Sequence, residues 1–242
     1  MQRKFAAFDI DGTLIRWQLY HSVVDRLAKY GHLGLDAHER LHQERMVWKR
    51  REHPEAFGRY EKFVIGMYEK GLTKLQPSIF DRIAHEVAHE YKDQVYTYTR
   101  DLIQKLKSKG YMLLAISGSH DELVGIVAKQ HGFDDWLGSV YQRGASTFTG
   151  KSFIVSKDKK TELQKLIAKH NLDTTDSYGV GDSFSDASMM DIVDNPIAFN
   201  PDRKLFSYAH TKSWPVVVER KNVIYELAYK DGTYILAHTN AQ

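Results

Sequence analysis

The chain has 242 residues, with 34 Lys and Arg against 31 Asp and Glu, a formal net charge of +3 and no cysteine. Its 42% hydrophobic and 12% aromatic residues, with 27% charged, supply a substantial core and exclude a mostly disordered chain; the length suits one large domain or two small ones. Zero cysteines exclude disulfides, thiolate metal sites and cysteine nucleophiles together. The near-balanced charge gives no basis for general nucleic-acid binding, so chemistry falls to carboxylates, hydroxyls, amines and imidazoles.

Taken in chain order, the N-terminus is basic, then apolar, but Asp9 and Asp11 interrupt the run before it reaches the length of a signal-peptide core. No other stretch reaches the ~18 apolar residues of a membrane span. The expectation is a soluble, cytoplasmic protein that does not engage membranes. Phe5-Ala-Ala-Phe8 predicts a buried strand running to about Asp9 and ending in Asp-Gly-Thr. From Trp17 to about Tyr91 apolar residues recur at helical spacing: Tyr20, Val24 and Leu27; Tyr60, Val64 and Met67; Ile79, Ile83 and Val87. About four helices follow, with Pro54 and Pro77 at helix starts and Gly31, Gly34 and Gly71 at helix stops.

Beyond Thr97 helices and strands alternate. A helix through Ile103 and Leu106 closes at Gly110, and a strand covers Tyr111 to Ile116. Helices at Leu123–Val127 and around Leu163–Ile167 come next, then a strand at Ser177–Val180. A helix at Met189–Val193, strands at Pro196–Phe199 and Trp214–Val218, and a hairpin over Val223–Ala237 complete the chain. This predicts a three-layer α/β fold, a doubly wound and mostly parallel sheet, with an all-helical domain inserted after strand one. Residues 1–15 and 96–242 form the expected core and 16–95 the expected cap.

Asp9 and Asp11 sit two residues apart where a buried strand ends, the edge at which open α/β sheets bind ligands. Gly181-Asp182-Ser-Phe-Ser-Asp186 follows a second buried strand. Four carboxylates converging in one crevice call for a hard cation, and oxygen ligands suit Mg²⁺. Between these clusters lie Ser117-Gly118-Ser119 at another strand end and a lysine run at 157, 159 and 160. A hydroxyl, free amides at a glycine turn and an ammonium are what phosphate oxygens require. Alone, the first is an ordinary turn and the second a solvated helix face; their order on successive strand ends makes the combination informative.

On these residues the chain resembles the haloacid dehalogenase superfamily of Mg²⁺-dependent phosphohydrolases, in its phosphoserine phosphatase-like branch, subfamily IB. Asp9-Ile-Asp11-Gly-Thr13-Leu14 matches the first motif, Ser117 the second, the lysine run the third and Gly181-Asp182 with Asp186 the fourth. The tail from Asn195 to Leu205 with Trp214-Pro215 is similar as well. Lys159 is preferred to Lys157 and Lys160 because the family's lysine precedes a core apolar residue by four positions, here Leu163. The resemblance implies hydrolysis of a small phosphorylated metabolite through an aspartyl-phosphate. Asp9 is then the nucleophile and Asp11 the general acid and base. Ser117, the Gly118 amide and Lys159 bind the phosphoryl group together with Asp9 and Asp11. Mg²⁺ is held by Asp9, the Asp11 carbonyl and Asp182, and Asp186 positions Lys159 or a water on the metal.

The family's phosphoserine enzymes carry a Glu nine residues after the nucleophile, where this chain has Gln18. A neutral amide cannot form the same charge-assisted pair with an ammonium, so Gln18 bears on specificity and argues against phosphoserine. Arg50, Arg51 and Arg59 remain open as the cap arginine. The alternatives are transfer of the phosphoryl group from Asp9 to an alcohol, or a non-catalytic phosphate-binding protein. The last is a zinc peptidase from His85-Glu86-Val-Ala-His89, which lacks its third ligand: no Glu, Asp or His lies between Asp101 and His120, and Lys92 and Val95 stand where the longer pattern wants Gly and His.

Overall fold

The computed structural model describes residues 2–53 and 55–241, so Pro54, expected at a helix start, lies outside the described residues. The chain divides into two compact units. The first comprises residues up to 17, 91–139 and from 154 on; the second comprises Gln18–Glu90 and Val140–Phe153.

The first unit is organised by strand β1 (Lys4–Phe8), which pairs in parallel with β2 (Met112–His120) on one side and β5 (Asp173–Gly181) on the other. Next to β2 runs β3 (Asp135–Arg143), and beyond β5 lie β6 (Asn195–Phe199) and β7 (Val216–Arg220), all parallel. The hairpin β8 (Val223–Lys230) and β9 (Thr233–Ala241) extends the sheet antiparallel to β7, around a turn at Asp231-Gly232. The sheet is therefore mostly parallel and doubly wound, with β1 near its centre.

Alternate residues of a strand point to opposite faces, and here both faces are buried, as a parallel sheet covered on two sides requires. Phe5, Ala7, Leu114 and Ile116 pack with Leu163 and Leu166 of α7 (Lys159–His170), Met189 and Met190 of α8 (Ala187–Met190), and Leu205 and Ala209 of α9 (Arg203–Lys212). Ala6, Phe8, Leu113 and Ala115 face the other way and are equally buried. On that side Ile103 and Leu106 belong to α5 (Thr97–Ser108), Leu123 and Val127 to α6 (Asp121–Gln130), and Phe8 meets Phe133 edge to face at 5.9 Å.

The second unit holds α1 (Leu19–Lys29), α2 (Ala37–Lys49), α3 (Ala56–Leu72) and α4 (Pro77–Tyr91). Its interior is aromatic: Tyr60 stacks on Trp48 at 5.6 Å and meets His21 edge to face at 5.2 Å. The distal half of β3 and strand β4 (Phe148–Phe153) form a hairpin that belongs to this unit. Arg143 forks onto Asp81 at 2.9 and 2.5 Å, Tyr68 meets Tyr141, and Phe80 meets Phe148.

Two local expectations need correction. Gly71 does not stop a helix but lies in the last turn of α3, where a Cβ would fall 2.2 Å from the Leu33 side chain. The expected Met189–Val193 helix is instead α8, which ends at Met190. The hairpin of β3 and β4 and helix α9 have no counterpart in the sequence reading. Among the described residues no helix is long and apolar enough to cross a membrane.

Candidate active site

The register of the central strands assembles the site. Phe8 lies beside Ala115 on one side and Val180 on the other, so Asp9 and Asp182 leave the sheet at its carboxyl edge, while Ser117, expected just past a strand end, lies within β2, which continues to His120. The Asp9 amide still donates to the Val180 carbonyl at 2.9 Å, which fixes the nucleus of the crevice to the sheet. Gly12 turns the chain at φ +82, and its amide donates to the Ile15 carbonyl at 3.0 Å.

Lys159 is the hub. It is the first residue of α7, 1% exposed, and its Nζ donates to Asp9 Oδ1 at 2.6 Å, Asp186 Oδ1 at 2.6 Å and the Ile116 carbonyl at 2.8 Å. Lys157 and Lys160 are exposed. Asp158 caps α7 by accepting from the Thr161 amide at 3.1 Å and its hydroxyl at 2.6 Å, which sets where the next side chain enters the core.

Asp186, fully buried, is held from both ends. Its Oδ1 takes the lysine, and its Oδ2 accepts from the amides of Asp182 and Ser183 at 3.1 and 2.9 Å and from the Ser183 hydroxyl at 3.0 Å. A Cβ on Gly181 would lie 2.4 Å from the Asp186 Cβ, so only glycine admits this side chain. The Asp182 carbonyl accepts from the Asp202 amide at 2.7 Å. On the other flank Ser117 Oγ donates to Asp11 Oδ2 at 2.6 Å and accepts from the Ser119 amide at 2.9 Å. Gly118 is half-buried, and a Cβ there would come within 3.2 Å of Ser156.

Burial pushes the Asp9 carboxyl up to about 7, with Lys159 pulling against it and Asp186 and Asp11 adding to the rise. Burial and the neighbouring Asp9 and Asp186 also hold Asp182 well above the ordinary carboxylate range. Burial alone would lower Lys159, but Asp186 and Asp9 overcome it and keep the ammonium charged. Asp9, Asp182 and Asp186 each bring an oxygen within 4.8 Å of the others. Because Lys159 and three donors engage Asp186, Asp9 and Asp182 are the carboxylates that fit a cation. An all-oxygen set of this kind suits a hard ion.

The predicted residues Asp9, Asp11, Ser117, Gly118, Lys159, Asp182 and Asp186 thus all lie at one edge of the first unit. Gln18 sits at the start of α1 in the second unit, where Arg50, Arg51 and Arg59 are exposed. His85 and His89 are exposed on α4, with Glu86 accepting from Arg26 at 3.3 Å and Tyr30 at 3.2 Å. The one three-ligand group among the described residues is the aspartate cluster, so the zinc pattern finds no third ligand. Sequence reasoning missed Ser183 and Asp202. Ser183 and Asp186 form a reciprocal capping pair, a signal visible in their spacing.

A family model described as haloacid dehalogenase-like hydrolase matches residues 6–191. The chain is 24% identical over 220 residues to phosphoserine phosphatase SerB1 of Mycobacterium tuberculosis, covering 87% of this chain and 69% of that protein. It is 26% identical over 228 residues to a histidinol-phosphatase of Neisseria meningitidis, covering 89% and 98%. In fold it matches the solved phospho-aspartyl intermediate analogue of phosphoserine phosphatase, with a TM-score of 0.60 over 91% of this chain and 95% of that one, at 17% identity.

Proposed function

The chain belongs to the haloacid dehalogenase-like hydrolase family, and from that premise we propose that it hydrolyses a small phosphate monoester with Mg²⁺. The observation that carries this reading is the buried Asp9–Lys159–Asp186 chain beside Asp182. An acid pinned against an ammonium in a dry crevice is placed to attack phosphorus, and the ammonium to neutralise the oxygens around it.

Asp9, the Asp11 carbonyl and Asp182 would hold the metal, which when bound supplies positive charge to the transferring phosphoryl group. A carboxylate oxygen of Asp9 forms a bond to phosphorus as the bond from phosphorus to the ester oxygen breaks, leaving an aspartyl-phosphate. Asp11 gives its proton to the departing alkoxide. Its carboxylate then takes a proton from the attacking water, and the bond from phosphorus to Asp9 breaks, releasing inorganic phosphate. Ser117 Oγ, which donates to Asp11 Oδ2, lies where it can turn to a phosphoryl oxygen, and the Gly118 amide and Lys159 complete the set of donors. Asp186 keeps Lys159 in place.

SerB1 and the Neisseria relative are named for phosphoserine and histidinol phosphate, so small phosphorylated amino-acid derivatives and alcohols are the class to test. Gln18 argues against phosphoserine, and Gln18→Glu should raise turnover of phosphoserine relative to esters without an ammonium.

The test is phosphate release from a panel of such monoesters with Mg²⁺ and with chelator. Turnover that needs Mg²⁺ is expected. No release from any member, or release unaffected by chelator, would overturn the reading. Alcohol acceptors added to the same assay separate transfer from hydrolysis.

A further inference from the structure

A buried hydroxyl without a partner is costly, and nearly every one in a folded protein is bonded. Ser119 departs from this rule. It is 1% exposed, and its Oγ meets no hydrogen-bonding group among the described residues. The adjacent His120 is turned to Glu122, with Nδ1 2.5 Å from the carboxylate.

The position of Ser119 is fixed by its own backbone. Its amide donates to Ser117 Oγ at 2.9 Å, and that oxygen donates to Asp11 Oδ2 at 2.6 Å. Covalent geometry keeps a serine's N and Oγ less than about 4 Å apart, so the Ser119 hydroxyl stands within about 7 Å of the Ser117 oxygen. One phosphoryl group, hydrogen-bonded at two of its oxygens, spans such a gap. An anion in this crevice would also offer Ser119 a charge-assisted acceptor, stronger than a neutral one.

We propose that Ser119 Oγ donates a hydrogen bond to a non-bridging oxygen of the substrate's phosphoryl group, next to the oxygen held by Ser117. This rests on the phosphomonoester reading above and adds a binding residue to it. The hydroxyl is left unpaired by the protein because its partner arrives with the substrate.

The experiment is calorimetric titration of wild type, Ser119→Ala and Ser119→Cys with inorganic phosphate in the presence of Mg²⁺, alongside thermal melts without phosphate. Cysteine keeps the side chain's approximate volume and loses the strong donor. Both variants should bind phosphate about tenfold or more weakly, as loss of a hydrogen bond to a charged group implies. The unliganded alanine variant should melt no lower than wild type, since it sheds an unpaired group. Either variant binding as tightly as wild type would overturn the proposal. So would a lower unliganded melting point for the alanine variant, which would make Ser119 a packing residue. Both results leave the phosphomonoester reading standing. Wild type failing to bind phosphate at all would overturn that reading and this proposal with it.

Discussion

Lys159 carries more of the site than any other single residue, because a buried ammonium is tolerated only while its partners surround it. Lys159→Met would leave the carboxylates of Asp9 and Asp186 buried against each other. Breaking one side of a buried ionic cluster costs about 3–5 kcal/mol, so denaturant unfolding should show a loss of that order. An unchanged midpoint would contradict the placement. Gly181 is a subtler probe. Gly181→Ala forces Asp186 to move, since the new Cβ would sit 2.4 Å from its Cβ. The lysine follows its partner, and a displacement of about 1 Å costs about a hundredfold in rate. Steady-state assays should find that drop with the fold retained. At this scale much was legible: the aspartates could be placed because they follow buried apolar runs, and Ser117 because it ends the run from Tyr111 to Ile116, although β2 itself continues to His120. Ser183 leaves only its capping spacing to Asp186, and Asp202, bonded to the Asp182 carbonyl through its backbone amide, leaves no such trace. The choice of Lys159 among three nearby lysines rested on resemblance, and burial separates it from the exposed Lys157 and Lys160.

At the scale of elements, the start of α7 decides where the lysine enters. Asp158 satisfies the Thr161 amide and hydroxyl there, and it holds its charge because those same bonds pull its carboxyl below the ordinary carboxylate range. Asp158→Ala should lower the thermal midpoint by a few degrees and reduce activity together. Asp158→Asn, which keeps an acceptor, should restore most of both; equal loss in the two variants would show that capping is not the cause. Strands β1, β2, β5, β6 and β7 were legible as short apolar runs because both faces of a parallel sheet are buried. The hairpin of β3 and β4 was not: Tyr141, Arg143 and Thr149 to Phe153 are largely exposed or half-buried, and its partners on α3 and α4 lie far away in sequence. The helix α9 was hidden by a polar run whose only buried hydrophobic residues are Leu205 and Ala209.

For the molecule as a whole, the near-neutral charge conceals one strongly shifted histidine. His21 is 1% exposed, and burial, with Arg45 nearby, pushes its imidazole down to about 3. Arg45 is itself held by Asp25 and Tyr60. The folded state therefore keeps His21 neutral where the unfolded chain protonates it, at about 6.5 and below. The unfolded state binds the extra proton, so this contribution to stability is full above pH 6.5 and is lost as pH falls from there towards 3. The slope reaches at most about 1.4 kcal/mol per pH unit. Denaturant midpoints for wild type and His21→Phe between pH 7 and 4 should diverge in slope, the variant being flatter; parallel curves would contradict the assignment. The second compact unit takes in residues 140–153 as well as the helices between Gln18 and Glu90, a grouping that no local pattern in the sequence announces.

In the proposed reaction Asp9 attacks phosphorus. The most direct measurement of that step is phosphate release by wild type and Asp9→Asn, with Mg²⁺ and a substrate from the panel, after circular dichroism has established that both are folded. The variant should lose at least about a thousandfold in rate, and quenched wild type, but not the variant, should carry a phosphoryl group on the peptide containing residue 9. A folded Asp9→Asn protein that turns over at the wild-type rate would contradict that role for Asp9.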